Sequence, residues 1–222
     1  MAYLELVYEE FYRHANASIS VGQSKYMKNR FVFLGITSPL RKEIQKPFLA
    51  QQNLPDKKEG FEVVRLLWQQ PQREFHYFAL ELLFAYKKHY EIADIDFFEQ
   101  LILSNSWWDS VDYLSPKIVA AYCQKFPAMQ EKIAHKWMKS DNIWLNRSAL
   151  LFQLKYKNQL NTELLKTIIL SMHATNEFFI NKAIGWILRE YARTNPQWVL
   201  DFVTTHPLSN LSKREALKHL HS

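Results

Sequence analysis

Glycine is nearly missing from this chain: four occur in 222 residues, at positions 22, 35, 60 and 185. Strand reversals depend on glycine-rich turns, so this scarcity, beside plentiful Leu, Ala, Lys, Glu and Gln, argues against a sheet protein and predicts an all-α fold. Cysteine is scarcer still. The single Cys123 cannot form an internal disulfide, and no Cys/His pair stands at zinc-ligand spacing, which disfavours a disulfide scaffold and a structural zinc site. In AAYCQKF, Cys123 reads as a helix-packing residue rather than a nucleophile. No run approaches the roughly 18 to 20 apolar residues that a membrane span needs. The opening MAYLELVYEEF carries acids where a signal peptide carries lysines, so a cytoplasmic chain is expected. No motif implies a metal or an organic cofactor.

What the chain has is apolar bulk, positive charge and indoles. Hydrophobic residues make up 48% of it, enough to bury a core in a single domain or repeat array over residues 1–222. Twenty-eight Lys and Arg against twenty-two Asp and Glu leave a net charge of +6, which suggests a polyanionic partner. Seven Trp raise a question that only their placement answers, because an indole serves equally as core filler and as a stacking or cation-binding surface.

Helix starts read as Asp, Ser, Thr or Asn ahead of an apolar-periodic run: Asp56, Asp94, Ser106 or its neighbours, Asp141, Asn161 or Thr162, Asn176, and Ser209 or Ser212. The run FVFLGI near residue 31 resembles a strand but has no partner run, and is expected to be a tight interhelical segment. Segments starting at Arg73, Ser106, Asn142, Asn176 and Leu211 resemble one another at spacings of about 33 to 36 residues, in the range of helical-hairpin repeats. Arg147-Ser148-Ala149-Leu150, Asn181-Lys182-Ala183-Ile184 and Arg214-Glu215-Ala216-Leu217 align, with Ala where adjacent helices approach closely. The expected architecture is a HEAT-like α-solenoid of stacked antiparallel helix pairs with a concave basic face. An irregular helical bundle is the bland alternative.

Between Asn176 and Thr194, helical spacing puts Phe178, Lys182, Gly185, Trp186, Arg189 and Arg193 on one face, and Ile180, Ala183, Ile184, Ile187, Leu188 and Tyr191 on the other. A merely solvated basic face would leave Trp186 and Phe178 exposed for no return. Cations, an aromatic and a Gly permitting close backbone approach suit a nucleic-acid backbone better. In SWWDSVD, residues 106 to 112, Trp108 and Asp112 stand four apart and share a face, with Trp107 turned to the core. Asp109 reads as a first-turn acid that complements the helix dipole. Pro116 cannot donate to the Asp112 carbonyl, so a bend is expected there. One repeat later Trp144, Arg147, Leu151 and Lys155 form a stripe. If repeats stack in register, Asp112, Arg147 and Trp186 meet in one groove, with Arg147 either clamping a phosphate or orienting Asp112. By itself Asp112 would more often be a surface acid or an ion-paired acid than a catalyst.

Through YMKNRFVFLGITSP (26 to 39), SWWDSVD (106 to 112), SDNIWLNRSALLFQLKYK (140 to 157), FFINKAIGWILREYARTNP (178 to 196) and LSKREALKHL (211 to 220), the chain resembles the AlkD-type DNA glycosylases. These are bacterial HEAT-like repeat enzymes that remove 3-alkyl and 7-alkyl purines. The resemblance implies a catalytic carboxylate at Asp112, active-site indoles at Trp108 and Trp186, an arginine at Arg147 and an N-terminal tyrosine at Tyr26, with Lys155, Lys182 and Arg189 facing DNA. It also implies duplex DNA with alkylated purines as partner and a lesion that stays stacked rather than flipped into a pocket. A protein wrapped along DNA can work as a monomer, which is the expected state. Tyr26, read from its surroundings alone, is equally a packing aromatic. Two other functions compete: a non-catalytic HEAT-repeat binder of damaged or structured DNA, and a protein-interaction scaffold.

Overall fold

The computed structural model describes residues 2–220, and an isolated bridge between Val32 and Gln72 is the only β-type pairing among them. The fold is all-α, as the shortage of turn residues predicts. The chain divides into two compact units, Met1–His89 and Tyr90–Ser222. None of the described helices is long and apolar enough to cross a membrane.

The first unit contains α1 (Ala2–Arg13), α2 (Ala17–Tyr26), α3 (Ser38–Gln45), α4 (Lys57–Trp68) and α5 (Arg73–Ala85). Asp56 caps α4 as expected, its carboxylate accepting the Glu59 N–H at 2.9 Å. The FVFLGI segment is an irregular connection. Its backbone donors find a partner in the buried Glu74 carboxylate, which accepts from the N–H groups of Leu34, Gly35 and Ile36 at 2.9, 3.0 and 3.1 Å. Gly35 has φ +89°, and a Cβ there would stand 1.9 Å from the Asn16 carbonyl oxygen, so this connection depends on glycine. Tyr26 ends α2 and is 71% exposed.

The second unit runs through α6 (Asp94–Leu103), α7 (Trp108–Tyr113), a π-helical turn over Leu114–Val119, α8 (Ala120–Lys125), α9 (Gln130–Met138), α10 (Ile143–Leu151), α11 (Thr162–Met172), α12 (Phe178–Ala192), α13 (Pro196–Thr205) and α14 (Asn210–Leu217). The expected bend at Pro116 takes the form of this π turn, because a residue without an N–H loosens the ladder that follows Asp112. Asn161 and Ser209 cap α11 and α14 with their side chains. At α10 and α12 the caps are Asn142 and Glu177, one residue beyond the expected Asp141 and Asn176. Asp94 lies in the first turn of α6 rather than capping it, and Trp107, extended and without a side-chain cap bond, precedes α7.

Within this unit α7, α10, α12 and α14 pack each against the next in chain order, and α9 packs against α11, giving the solenoid-like layering that the repeats predict. The aligned alanines sit where these helices meet: Ala149, Ala183 and Ala216 are each at most 1% exposed. The apolar side of α12 is buried as expected, from Ile180 to Tyr191. Cys123 is also buried, and desolvation pushes its thiol up to about 12, which removes it as a nucleophile at neutral pH.

Gly185 requires a correction. Its backbone is approached by α14, not by a ligand: a Cβ on Gly185 would meet the Glu215 Cβ at 2.4 Å and the Ser212 carbonyl oxygen at 3.0 Å. Gly185→Ala is therefore expected to force α14 off α12 and to destabilise the protein by about 1–3 kcal/mol. A denaturant midpoint equal to that of the wild type would show that the contact is not needed.

Candidate active site

A pocket of about 300 Å³ opens in the second unit. Trp108 and Asp112 reach it from α7, Arg147 from α10, Lys182, Trp186 and Arg189 from α12, and Glu215 from α14. Stacking the repeats thus brings Asp112, Arg147 and Trp186 to one place, as in-register stacking predicts.

Arg147 grips Asp112 with two parallel hydrogen bonds. Its Nε donates to Oδ1 at 2.7 Å and its Nη2 to Oδ2 at 2.8 Å, the bidentate fork that guanidinium and carboxylate form best. Its Nη1 donates to the Phe179 carbonyl oxygen, so Nε, Nη1 and Nη2 all have protein partners. The Arg147 side chain is 6% exposed, and that of Asp112 is 19% exposed. Of the two roles left open by the sequence, orienting Asp112 fits this geometry, and a solvent-facing phosphate clamp does not. Burial pushes the Asp112 carboxyl above the ordinary aspartate range. The hydrogen bonds and charge of Arg147 pull it back, and the neighbouring Asp109 adds a smaller upward push.

Trp108 and Trp186 are half-buried on the pocket wall. Trp107 and Trp144 stand apart from it. They pack against Phe179 with ring centroids 5.2 and 5.0 Å away, and against each other at 5.6 Å, making an aromatic cluster that supports α7 and the start of α12. The Trp107 side chain therefore packs inward as expected, although half-buried rather than sealed. Of the stripe Trp144, Arg147, Leu151 and Lys155, the first three residues are buried, and Lys155 falls beyond the end of α10. Asp109 occupies the first turn of α7, where its charge suits the helix dipole.

The basic residues form two ion-paired groups. Lys182 Nζ and Arg189 Nη1 lie 2.9 and 2.6 Å from the two carboxylate oxygens of Glu215. Lys155 Nζ lies 2.8 Å from Glu190 Oε1, and Arg193 Nη1 lies 4.0 Å from Glu190 Oε2. Sequence reasoning passed over both glutamates and the Phe179 carbonyl. Glu215 stood in the aligned motif at the position of Lys182, but spacing within one repeat says nothing about ion pairs between repeats. Tyr26 belongs to the first unit, at the end of α2. Among the described residues no group of three or more His, Cys, Asp or Glu is arranged to hold a metal ion.

Comparison with known proteins gives this geometry a context. A family model described as DNA alkylation repair enzyme matches residues 7–220. A solved structure described as a predicted DNA alkylation repair enzyme from Enterococcus faecalis is 33% identical, with a TM-score of 0.87, over 93% of this chain and 97% of that one. AlkD2 from Streptococcus mutans shares the fold at 18% identity and a TM-score of 0.64, over 80% of this chain and 89% of that one. The structure of smu.31 from Streptococcus mutans UA159 shares it at 17% identity and a TM-score of 0.62, covering 82% and 96%. No curated protein sequence matches the chain.

Proposed function

This chain belongs to the DNA alkylation repair enzyme family, and from that premise we propose that it is a DNA glycosylase that hydrolyses the N-glycosidic bond of cationic 3-alkyl and 7-alkyl purines in duplex DNA. The observation that carries this reading is the Asp112 carboxylate, fixed by both arms of Arg147 in a pocket that Trp108 and Trp186 also line.

Breaking the bond between C1′ and the purine nitrogen sends the electron pair to the base and leaves an oxocarbenium-like sugar. A purine that already carries an alkyl group and a positive charge departs neutral, so no strong general acid is required. The need is for negative charge beside C1′ that is better matched to the transition state than to the ground state. A carboxylate held by a buried guanidinium is preorganised to supply it. The indole faces of Trp108 and Trp186 stabilise the same cationic character. Asp112 then accepts a proton from the water that adds to C1′, and an abasic site results. The lesion stays stacked while the protein acts on its deoxyribose from the groove. Lys182 lines the pocket, but its Nζ is engaged by Glu215 at 2.9 Å rather than poised as a nucleophile.

Incubating the purified protein with methylated genomic DNA and identifying released bases by mass spectrometry tests the proposal. The expected products are free 3-methyladenine and 7-methylguanine and DNA with intact, heat-labile abasic sites. Strand scission without added heat or base would point to a lyase instead. Salt-sensitive DNA binding with no base released would favour the non-catalytic binder. Binding itself is expected to fall steeply with salt, log K against log salt having a slope of about −0.9 per phosphate neutralised in B-DNA. A flat response would favour a protein-interaction scaffold.

A further inference from the structure

The four cations that the sequence assigns to DNA are already paired, two by two, with carboxylates of the same chain. Glu215 bridges Lys182 and Arg189, at 2.9 and 2.6 Å, and its side chain is 15% exposed. Glu190 lies against Lys155 at 2.8 Å and Arg193 at 4.0 Å, with its side chain 21% exposed. Each arrangement sets one anion between two cations, which is also the geometry of a phosphate held by two basic side chains. The Lys182 bond lowers the Glu215 carboxyl below the ordinary glutamate range despite some opposing desolvation, and Arg189 adds to the lowering. Glu215 is fixed from behind as well, since its Cβ occupies the space that a side chain at Gly185 would need.

We propose that Glu215 and Glu190 are phosphate placeholders, each occupying in the free protein the site between two basic side chains that a DNA phosphodiester takes over on binding. The inference rests on duplex DNA being the partner, and it adds a specificity device to that reading. An approaching phosphate must displace a carboxylate rather than meet two open cations. Each placeholder thus weakens attraction to the backbone, which every DNA sequence offers alike, while keeping the cations in position. A lesion site, with the further contacts of the Asp112 pocket, recovers that loss, and undamaged duplex does not.

The test measures binding of unmodified duplex DNA by fluorescence anisotropy over a salt series. It compares the full-length wild type with Glu215→Gln, Glu190→Gln and the double variant. Glu163→Gln serves as the control: Glu163 lies in the first turn of α11, outside the pocket lining, and its replacement changes net charge equally. Glutamine keeps the shape, and circular dichroism at the assay temperature verifies the fold. Each placeholder variant is expected to bind at least about threefold tighter than the control at low salt, with a log–log slope steeper by about 0.9, and the two effects are expected to add. Binding equal to the control, or weaker than the wild type, would overturn the proposal. Because the duplex carries no lesion, this result is read independently of base release. Failure of glycosylase activity would leave the placeholder result standing, and unaltered binding would leave the chemistry at Asp112 standing.

Discussion

Replacing Asp112 with asparagine is expected to remove alkylpurine release while leaving duplex binding in place. Asparagine has nearly the same shape but no charge, so what is lost is the stabilisation of the developing sugar cation. Removing one preorganised electrostatic group from an active site typically costs about 10²–10³ in kcat, and a loss at least that large is expected in single-turnover release of 7-methylguanine. Binding has no reason to weaken, because an acid among phosphates contributes repulsion. The pH profile of the wild type carries the same signature. Protonation silences the carboxylate, and burial raises its folded-state value above that of an ordinary aspartate. Activity should therefore fall on the acid side at a higher pH than an exposed aspartate would give. Release by Asp112→Asn at the wild-type rate would remove this residue from the chemistry.

The second large effect belongs to Arg147. Methionine at this position keeps much of the volume but deletes both bonds to Asp112 and the bond to the Phe179 carbonyl. A largely buried carboxylate is then left without its counter-charge, which costs about 3–5 kcal/mol of stability by the usual cost of breaking a buried ion pair. The sign with pH follows from the direction of the Asp112 shift. Arg147 is the group that lowers the Asp112 carboxyl, so its loss raises that value further. A carboxyl raised on folding contributes stability below its unfolded value and loses that contribution as pH rises through its folded value. The deficit of Arg147→Met should thus be smaller in mildly acidic than in neutral solution, and the acid limb of any residual activity should move to higher pH. The double variant with Asp112→Asn should cost less than the sum of the two singles, because the orphaned charge is gone. Equal denaturant midpoints for wild type and Arg147→Met would contradict the buried-pair description.

Helical periodicity carried much of the fold into view. The buried side of α12 and the recurring alanines at 149, 183 and 216 follow from spacing alone, since a helix must turn one stripe toward its neighbours. The cap at Asp56 was legible directly, and at the starts of α11 and α14 the structure uses Asn161 and Ser209, the first of the two residues that the sequence offers at each. Where Asp141 stands beside Asn142 the choice lay between adjacent residues, and the structure uses the second.

The site was legible in its residues more than in its contacts. Trp108, Asp112, Arg147 and Trp186 do gather, because the repeat period returns each helix to the same row. For Arg147 the sequence left both a phosphate and Asp112 as partners, because spacing within one helix does not say which group of a neighbouring repeat a side chain meets. Gly185 looked open to a ligand for the same reason: the Glu215 that covers it comes from a helix about one repeat later. What a single helix shows is which residues share a face. Their partners depend on how the repeats stack.

The most direct measurement of the proposed chemistry uses two duplexes of identical sequence, one with a single 7-methylguanine and the other with a neutral hypoxanthine at the same position, under single-turnover conditions. A carboxylate that stabilises an oxocarbenium-like sugar without a strong general acid predicts release of the cationic base and no detectable release of the neutral one. Release of both at similar rates, or of neither while duplex binding persists, would contradict it.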